Sequence, residues 1–582
     1  MTEFAKQVKA LGPWRHGTAD EPSAVEKGVE RLNQLVPYIK LVQREKLQPP
    51  RRQVEAIEKF FASDQASAVV DALITDKLVG PPGLDPLTAP CQLACPIGTE
   101  AWRYVAHIER GEYEQAYLAI RDPNPFPSVC ARVCDHRCER SCRLGTVEGS
   151  PVAIRALKRF VTDTIDPGVY QPERAADDKE QRVAIVGGGP AGLSAAHLLA
   201  LRGFRVSVFE QNEQLGGMLR HAIPSYRLPR DVLDREIAAL LDPRITVKTG
   251  VRLGSDITVD GLLEDGHAAV FLAFGSNRSL PLNIKGEDAS GVIPSLRFLS
   301  EFNLKGTSLA KGRVGIIGGG NSAIDAARIA LRQPEVSQVT ILYRRTREEM
   351  PAFAEEIDAA VDEGAELRCL LTPVKVETAA GALVGVTCLK NELGPPDRSG
   401  RRRPVPMAGT EHLVPLDTLI VAVSEKPDLD SLRAPGADAR ETLANDWGAI
   451  EADLRTHATR RPGVFAGGDA VSGPSTVIEA IAAGKRAAHT IERFLVGEAL
   501  AQPGDGARAG RDLGPSPAQP IRKDTVCAAR LSVPHLSAVE RRTSVIEVEQ
   551  VVTEEVARCE ASRCLRCDRE LDANAPGAAS SA

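Results

Sequence analysis

The pattern of apolar and polar positions changes at Arg182 and from there repeats one unit. A short apolar run, a glycine-rich turn and an alanine-rich stretch follow one another at 182–202 and again at 313–332. Strand, tight turn and helix in this order are typical of the βαβ unit, which builds parallel sheets. The repeat therefore predicts two doubly wound nucleotide-binding domains in an α/β protein.

The chain on either side of the repeat has a different texture. Further helical patterns lie around 100–120 and 151–165, among closely spaced cysteines. Near residue 501 the strand and helix patterns end, and a Gly-, Pro- and Ala-rich stretch with the composition of a linker follows. Apolar residues at helical spacing between 20 and 80 predict amphipathic helices that pack on a neighbour, and they are Val25, Val29, Leu32, Val36 and Ile39.

Composition narrows the class of protein. At 582 residues and roughly 100–200 residues per domain, three to five domains are expected. Lys+Arg 72 against Asp+Glu 78 gives a mixed, mildly acidic surface that does not favour nucleic acid. The start lacks the apolar core of a signal peptide, and no stretch approaches the roughly 18 apolar residues of a membrane helix. We expect a cytoplasmic protein with no membrane span.

The first glycine turn has the context of a dinucleotide site. An apolar strand precedes Gly187, Gly189 and Gly192, and a helix follows, so backbone N–H groups face a bound pyrophosphate. Glu210 ends the next strand, 23 residues after Gly187, where a carboxylate accepts hydrogen bonds from the adenosine ribose. Pro190 and Ala191 belong to the same turn.

Two later segments extend this site and favour FAD as its ligand. One is the Gly216-Gly217 pair, and the other is Gly468-Asp469, which lies between a strand and a helix. Asp469 has the alternative interpretation of an ordinary turn aspartate; the flanking helix N-terminus favours a place beside the flavin. The further residues predicted to contact FAD are Arg220, Gly275 and Thr476.

The second glycine turn is predicted to bind the nicotinamide nucleotide. Its residues are Gly318, Gly320, Asn321, Ser322 and Ala323, with alanine in place of the third glycine. The next strand ends in Arg344 and Arg345 rather than in an acidic residue, which suits the 2′-phosphate of NADP. The alternative is a solvated loop that pairs with nearby glutamates; NAD(H) also stays open.

Ten of the twelve cysteines crowd into residues 91–142 and 527–567. This clustering in a large chain favours metal ligation over disulfides. Four of the twelve are single in the sequence, two of them within the second range, and a buried apolar thiol is the default interpretation for all four: Cys369, Cys388, Cys527 and Cys559. The closely spaced ones are Cys91, Cys95, Cys130, Cys134, Cys138, Cys142, Cys564 and Cys567.

Spacing alone admits structural zinc, with His136 as a further ligand. Iron–sulfur clusters are favoured because of the flavin beside them. A flavin accepts a hydride as two electrons and clusters carry electrons one at a time, so the cofactors together form an electron-transfer chain. Disulfide exchange is disfavoured, because no cysteine lies between Cys142 and Cys369, where a flavin disulfide reductase would hold its redox pair.

Four segments resemble the family of the NADPH-dependent glutamate synthase small subunit and the N-terminal half of dihydropyrimidine dehydrogenase. They are Asn124-Pro-Phe-Pro, Pro151-Val-Ala-Ile-Arg, the run from Gly216 to Pro229, and Tyr343-Arg-Arg-Thr-Arg-Glu-Glu-Met-Pro. The resemblance extends over 86–495. In this family one continuous segment joins two cysteine motifs that here lie near residue 91 and near residue 564. The tail is therefore expected to fold back.

The resemblance implies two 4Fe–4S clusters and divides the cysteines between them. The first cysteine group is Cys91, Cys142, Cys564 and Cys567. The second is Cys95, Cys134 and Cys138, with its fourth ligand open. Some relatives use a non-cysteine side chain at the position of Lys158, and because a lysine is a poor ligand, Cys130 is the substitute.

These observations predict seven segments in the chain. In order they are a helical extension 1–85, a helical 4Fe–4S domain 86–175, an FAD-binding domain 176–306, an NAD(P)-binding domain 307–428, the second part of the FAD domain 429–500, a linker 501–522, and an iron–sulfur tail 523–582. Two Rossmann-like domains thus combine with an N-terminal α-helical iron–sulfur domain and a C-terminal iron–sulfur tail.

The predicted function is that of an NAD(P)H-dependent flavin iron–sulfur oxidoreductase. Hydride transfer between bound NADP(H) and FAD needs no catalytic side chain, and electrons leave singly through the clusters to a ferredoxin or a larger catalytic subunit in a hetero-oligomeric complex. Two alternatives stay open. One is the glutamate synthase small subunit with its amidotransferase partner, and the other is a non-enzymatic flavin redox sensor or scaffold.

Overall fold

A computed structural model describes residues 89–568 except 148, 398–399, 433–442, 446–447 and 501–528. The predicted helices at 20–80, the segments 1–85 and 501–522, and Cys527 lie outside the described residues. Leu393–Arg403 fall in a separate compact unit from the rest of the described chain. Within the described residues, each helix is too short or too polar to cross a bilayer.

The elements follow in chain order. The helices before the first sheet are α1 Pro90–Leu93, α2 Ala101–Arg110, α3 Tyr113–Arg121, α4 Pro127–Val133, α5 Arg137–Arg140, α6 Arg143–Val147 and α7 Ile154–Thr164. The next elements are β1 Arg182–Val186, α8 Pro190–Leu201, β2 Arg205–Glu210, α9 Met218–His221, α10 Arg230–Leu240, β3 Ile245–Thr249, α11 Val259–Glu264, β4 His267–Leu272, β5 Arg278–Ser279, β6 Val292–Pro294 and α12 Ser295–Lys305.

The second half continues in the same order. Its elements are β7 Gly312–Ile317, α13 Asn321–Leu331, β8 Val336–Leu342, α14 Ala354–Asp362, β9 Glu366–Arg368, β10 Leu371–Ala379, β11 Ala382–Pro396, β12 Arg402–Pro406, β13 His412–Pro415, β14 Thr418–Val421, β15 Glu425–Lys426, β16 Val464–Ala466, α15 Asp469–Ser472, α16 Val477–Leu495, α17 Ala538–Thr543 and α18 Glu554–Ala561.

Two five-stranded parallel sheets confirm the α/β fold class. The first has the order β16-β4-β1-β2-β3, and the second has the order β6-β14-β7-β8-β9. In both, the strand before a glycine turn is central, so both of its faces are buried and it is continuously apolar. A smaller sheet of β10, β11, β12 and β13 is inserted in the chain between β9 and β14 of the second sheet.

Two features join the late part of the chain to the first sheet. β16 pairs with β4, which brings the Gly468 turn beside the Gly187 turn. Helix α16 then packs against α8 so closely that a Cβ on Gly484 would lie 2.1 Å from the Ala191 carbonyl oxygen. A glycine is therefore required at this crossing of the two helices.

The tail folds back on the helical domain, as predicted. On α18, the Glu560 carboxylate accepts hydrogen bonds from the backbone N–H groups of Ala153 and Leu531, at 2.8 Å each. The Arg563 guanidinium donates to the Ser150 carbonyl at 2.8 Å. Apolar side chains of the tail, Val552, Ala557 and Ala561, lie in the same core cluster as α2, α3 and α7.

A buried ion-pair group holds the tail to helix α7. Glu549 accepts two hydrogen bonds from Arg155, at 2.7 and 2.9 Å, and lies 3.4 Å from Arg159. Glu547 pairs with Arg132 at 2.7 Å and with Arg159 at 2.9 Å. Burial tends to raise the pKa of Glu549, but the arginines outweigh it and lower the pKa to about 2.

We expect Glu549→Ala to loosen the tail, because it leaves buried arginines without their partner. The expected loss in free energy of unfolding is about 3 kcal/mol. Because the folded pKa lies below the ordinary value of 4.5, the stabilisation is complete above about pH 4.5 and is lost as the pH falls towards 2. Limited proteolysis near neutral pH would measure the loosening of the tail. The control is Glu555→Ala, which replaces an exposed glutamate on α18. Equal cleavage of both variants would contradict the role of Glu549.

Candidate functional site

A cavity of about 560 Å³ lies where the strands of the first sheet end. The loops that follow β1, β2, β4 and β16 all open onto it, which is where ligands bind in open α/β sheets. It brings together nine of the residues predicted to contact FAD: Gly187, Gly189, Pro190, Ala191, Glu210, Gly217, Gly275, Gly468 and Asp469.

The first glycine turn is shaped by close backbone contacts. Gly187 has φ +111°, and a Cβ on it would lie 2.4 Å from the Ala273 carbonyl oxygen. A Cβ on Gly192 would lie 2.0 Å from the Gly187 carbonyl oxygen. Gly187 therefore lets the turn lie against the chain that follows β4, and Gly192 brings α8 close to the end of β1. Gly189 begins the helix and leaves its first N–H groups towards the cavity.

The Glu210 carboxylate connects two sides of this cavity. It accepts hydrogen bonds from the backbone N–H of Gly188 at 2.7 Å and from that of Asn212 at 2.9 Å. The Oε1 atom also accepts a hydrogen bond from the Asn212 side-chain amide at 2.6 Å, whereas Oε2, bonded to Gly188, keeps a second lone pair for a ligand hydroxyl. The side chain therefore holds the glycine turn and still presents one acceptor to a ribose.

Asp469 lies at the other end of the cavity, at the start of α15. Burial raises the pKa of its carboxyl group to about 6, and the neighbouring Glu425 adds to the effect. Thr476 lies just beyond and caps α16 by accepting a hydrogen bond from the Glu479 N–H at 3.4 Å. The long helix thus begins beside the cavity, with its positive dipole end there.

Three further residues predicted to contact FAD do not line the cavity but contact the residues that form its wall. Arg220 donates to the Leu215 carbonyl at 2.7 Å and also bonds to Asp234. The N–H of Gly216 donates to the Gly188 carbonyl at 2.8 Å. Gly192 packs on Gly187 as described. These residues hold the first turn and the Gly217 loop against each other.

The sequence did not predict several lining residues. His221 bonds through Nδ1 to the Ser300 hydroxyl at 3.2 Å, and its buried Nε2 has no hydrogen-bond partner among the described residues. Burial lowers the pKa of His221. The sequence could have indicated His221, because this residue lies in the segment from Gly216 to Pro229 that carries the family resemblance. Arg297 and Ser300 had no such signal, because they come from α12, after the crossover to the second sheet.

The second glycine turn repeats the first in the other sheet. Gly318 has φ +147°, and a Cβ on it would lie 2.2 Å from the Ala422 carbonyl oxygen. Gly320 begins α13, Ala323 is fully buried, and Ser322 lies in the first turn of the helix. The Asn321 side chain accepts a hydrogen bond from the Phe353 N–H at 3.1 Å, which ties the loop after Glu349 to this turn.

The two arginines after β8 are placed differently. Arg344 is exposed, whereas Arg345 is only 3% exposed. The Leu370 N–H donates to the Arg345 carbonyl at 3.1 Å, which anchors the backbone here. Of the two, Arg344 has the access to solvent that binding a nucleotide phosphate requires.

The first cysteine group surrounds a small cavity at the tail. All four of its members line that cavity, together with Trp102 and Leu144. Burial and mutual repulsion raise the pKa of the Cys91 thiol well above its ordinary value, and burial raises that of Cys564 to about 12. Thiolates gathered in this way need a bound positive centre, and an iron–sulfur cluster fits that donor set.

The second cysteine group is gathered around Lys158. Burial raises the pKa of the Cys134 thiol to about 11, while Lys158 opposes the rise. Burial also raises the pKa of Cys138, and that of Cys130, which is fully buried. Among the described residues, no three His, Cys, Asp or Glu side chains converge closely enough to hold a single metal ion. Thiolates are the donor type that an iron–sulfur centre takes.

The remaining described cysteines stay apart from both groups. Cys388 is buried in β11 as predicted, and Cys369 is partly buried. Cys559, predicted as a buried apolar thiol, is exposed on α18; that prediction was wrong because the residue lies on the solvent side of an amphipathic helix.

Family comparisons agree with this arrangement. Residues 181–484 match the model for pyridine nucleotide-disulphide oxidoreductases, and residues 84–167 match the model for dihydropyrimidine dehydrogenase domain II, 4Fe-4S cluster. The fold and the sites thus define an oxidoreductase that binds FAD, NADP(H) and 4Fe–4S iron–sulfur. The chain belongs to the pyridine nucleotide-disulphide oxidoreductase family, in the iron–sulfur group that includes the glutamate synthase small chain.

Three relatives illustrate the group. The beta subunit of the NADP(+)-dependent formate dehydrogenase of Moorella thermoacetica is 39% identical over 83% of this chain and 71% of its own length. The beta subunit of the NADPH-Fe(3+) oxidoreductase of Geobacter sulfurreducens is 38% identical, over 71% and 64%. The glutamate synthase [NADPH] small chain of Escherichia coli is 32% identical, over 78% and 97%. The chain therefore spans about two thirds of the second relative.

Proposed function

We propose that this chain is the nicotinamide-end subunit of a larger redox complex and exchanges electrons between NADP(H) and a ferredoxin or a larger catalytic subunit. The observation that carries the proposal is the order of the sites. The flavin-type cavity, the second cysteine group and the first cysteine group follow one another, with the last at the tail. This order provides a path from a two-electron donor to a one-electron partner.

The packing of the cysteines supports that order. Cys130 belongs to the core of the first parallel sheet, and Cys95 and Cys134 pack against it. Cys91, Cys142 and Cys564 pack instead on the separate core of the helical domain, and so does Cys138 of the second group. Hence the second group lies between the core of the first sheet and that of the helical domain, and the first group lies on the side of the helices and the tail.

We assign one 4Fe–4S centre to each cysteine group, with Cys130 completing the second. The FAD residues are those that line or support the large cavity, and the NADP(H) residues are those of the Gly318 turn with Arg344 and Arg345. When bound, the flavin and the iron–sulfur centres supply the conversion between hydride and single-electron transfer. The protein itself supplies binding and electrostatics and needs no nucleophile or general base.

The side chains have separate tasks in this scheme. The first turns of α8 and α13 present N–H groups to the two pyrophosphates. Glu210 orients the ribose of FAD, and the start of α16 places a positive dipole end near Asp469. The buried contacts of Gly192 and Ala323 hold each helix against its strand.

A separate partner is supported by the relatives, two of which are beta subunits and one of which is a small chain. We place the complex in the cytoplasm. The partner of a glutamate synthase small chain is the competing identity, and co-purification of an amidotransferase would favour it. A flavin sensor that turns nothing over is the other alternative.

The test is NADPH oxidation with an artificial one-electron dye as acceptor. We expect sustained turnover, which a sensor would not give. Arg344→Ala should raise the KM for NADPH roughly 10- to 100-fold, because a charged hydrogen bond to a phosphate contributes about 1.5–3 kcal/mol. The KM for NADH and the kcat should stay the same. The control is Arg313→Ala, at the opposite end of the same sheet; an unchanged ratio of the two KM values in Arg344→Ala would refute the role of Arg344.

A further inference from the structure

Lys158 is a buried cation among thiols. It lies on α7 and is 8% exposed, with Nζ 5.9 Å from the centre of the Tyr104 ring. Burial by itself would lower the pKa of Lys158. Four neighbouring thiols outweigh it and raise the pKa, namely Cys130, Cys134, Cys95 and Cys138. These are the four members of the second cysteine group.

Lys158 has no carboxylate partner within the part of the chain that the structure describes. Among the residues that the structure describes, no Asp or Glu forms an ion pair with Lys158, whereas Arg155 and Arg159 on the same helix are both paired with Glu549. Lysines are almost never fully buried unless they are paired. The negative charge that balances Lys158 must therefore come from the cysteine group itself and from whatever that group binds.

Lys485 lies near the same group but comes from another part of the chain. It follows Gly484 on α16, the helix that starts at the flavin-type cavity, and its Nζ donates to the Pro123 carbonyl at 2.6 Å. Burial lowers the pKa of Lys485 to about 8, and the Cys95 thiol and the Asp122 carboxylate counter the effect. Within the described chain, Lys485 forms no ion pair with a carboxylate. Two lysines from distant parts of the chain therefore lie near one cysteine group.

The first cysteine group has a different environment. The Arg566 guanidinium tends to lower the pKa of the Cys564 thiol. It also donates two hydrogen bonds to the Asp568 carboxylate, at 2.9 and 2.7 Å. That positive charge is already balanced within the tail. The two cysteine groups are thus alike in donor type and different in the charge that surrounds them.

We propose that Lys158 and Lys485 are charge-tuning residues of the iron–sulfur centre at the second cysteine group, and that they raise its reduction potential above that of the first. The inference rests on the ligand groups of the proposed function. Adding one electron to a four-iron centre adds one negative charge, and fixed ammonium groups in a low-dielectric interior stabilise that charge. The centre beside the flavin cavity thereby becomes the better electron acceptor of the two.

The test is an anaerobic redox titration of the purified full-length chain with dithionite, followed by electron paramagnetic resonance. The second centre is the signal that remains in the Cys564→Ala/Cys567→Ala variant. Lys158→Met should keep the wild-type iron content and lower the midpoint of that signal. We expect at least a tenfold fall in the ratio of reduced to oxidised centre at fixed potential, which equals about 59 mV for one electron.

Two control variants separate charge from packing. Lys158→Arg keeps the charge and should keep the midpoint, and Lys305→Met removes an exposed lysine paired with Glu301 and should change nothing. An unchanged midpoint in Lys158→Met, or an equal fall in Lys158→Arg, would overturn the inference. If Lys158→Met does not retain iron, the midpoint of the second centre is measured in Lys485→Met instead. A lowered midpoint in that variant supports the inference, and an unchanged one refutes it. A wild-type chain with no second signal would overturn the ligand groups themselves.

Discussion

Replacing Cys564 and Cys567 together by alanine is expected to halve the iron content of the chain, from about eight to about four irons, while FAD stays bound. The two thiols line the small cavity with Cys91 and Cys142, so their loss leaves two of four ligands. The flavin-type cavity is built by the loops of the first sheet and shares no residue with this site. Iron and flavin analysis of anaerobically purified protein measures both quantities.

The tail itself offers a matched control. Cys559 is exposed on α18, and Cys559→Ala should retain all of the iron. Truncation after residue 550 is a second route to the same loss; it removes both ligands and keeps Glu547 and Glu549 in place on the arginines of the helical domain. Unchanged iron in both the double variant and the truncation would refute the assembly of a cluster from the two ends of the chain.

Gly189→Ala is expected to weaken FAD binding strongly without unfolding the chain. Gly189 has φ −83° and ψ −176°, which alanine adopts, and an added Cβ would meet nothing closer than 3.9 Å. The methyl group would occupy the space where the backbone approaches a pyrophosphate. We expect FAD affinity to fall by roughly a hundredfold, equivalent to about 2.7 kcal/mol, while the thermal stability of the flavin-free protein stays the same.

Gly320→Ala is the matched change in the second sheet. Gly320 has φ −89° and ψ 174°, and an added Cβ would meet only the Pro351 ring, at 4.0 Å. This variant should keep FAD and lose NADPH-dependent dye reduction, whereas dithionite still reduces its flavin. Flavin absorbance and NADPH titration separate the two sites. Loss of FAD from Gly320→Ala, or full retention by Gly189→Ala, would contradict the assignment of one nucleotide to each turn.

The glycine turns show how much of the binding site a local sequence pattern can predict. An apolar strand, a close turn and a small-residue helix are a local arrangement, since Gly187 and Gly192 touch within one unit. The sequence therefore predicted nine residues that line one cavity. It placed Arg220 at the ligand, whereas the structure has this guanidinium bonded to Leu215 and Asp234. A long side chain can turn either way, and only its neighbours decide its direction.

By itself, the sequence determined the α/β class and the two nucleotide turns, because these depend on short-range spacing and on residue chemistry; the division of the cysteines is what the family resemblance implies. Only the tertiary structure decided which distant side chains share an environment. Strand β16 pairs with β4, which lies almost 200 residues earlier, Arg297 reaches the flavin-type cavity from a helix that packs in the core of the second sheet, and Lys158 and Lys485 lie near one cysteine group. The physical reason is that burial and charge balance are properties of the packed interior, which no local pattern contains.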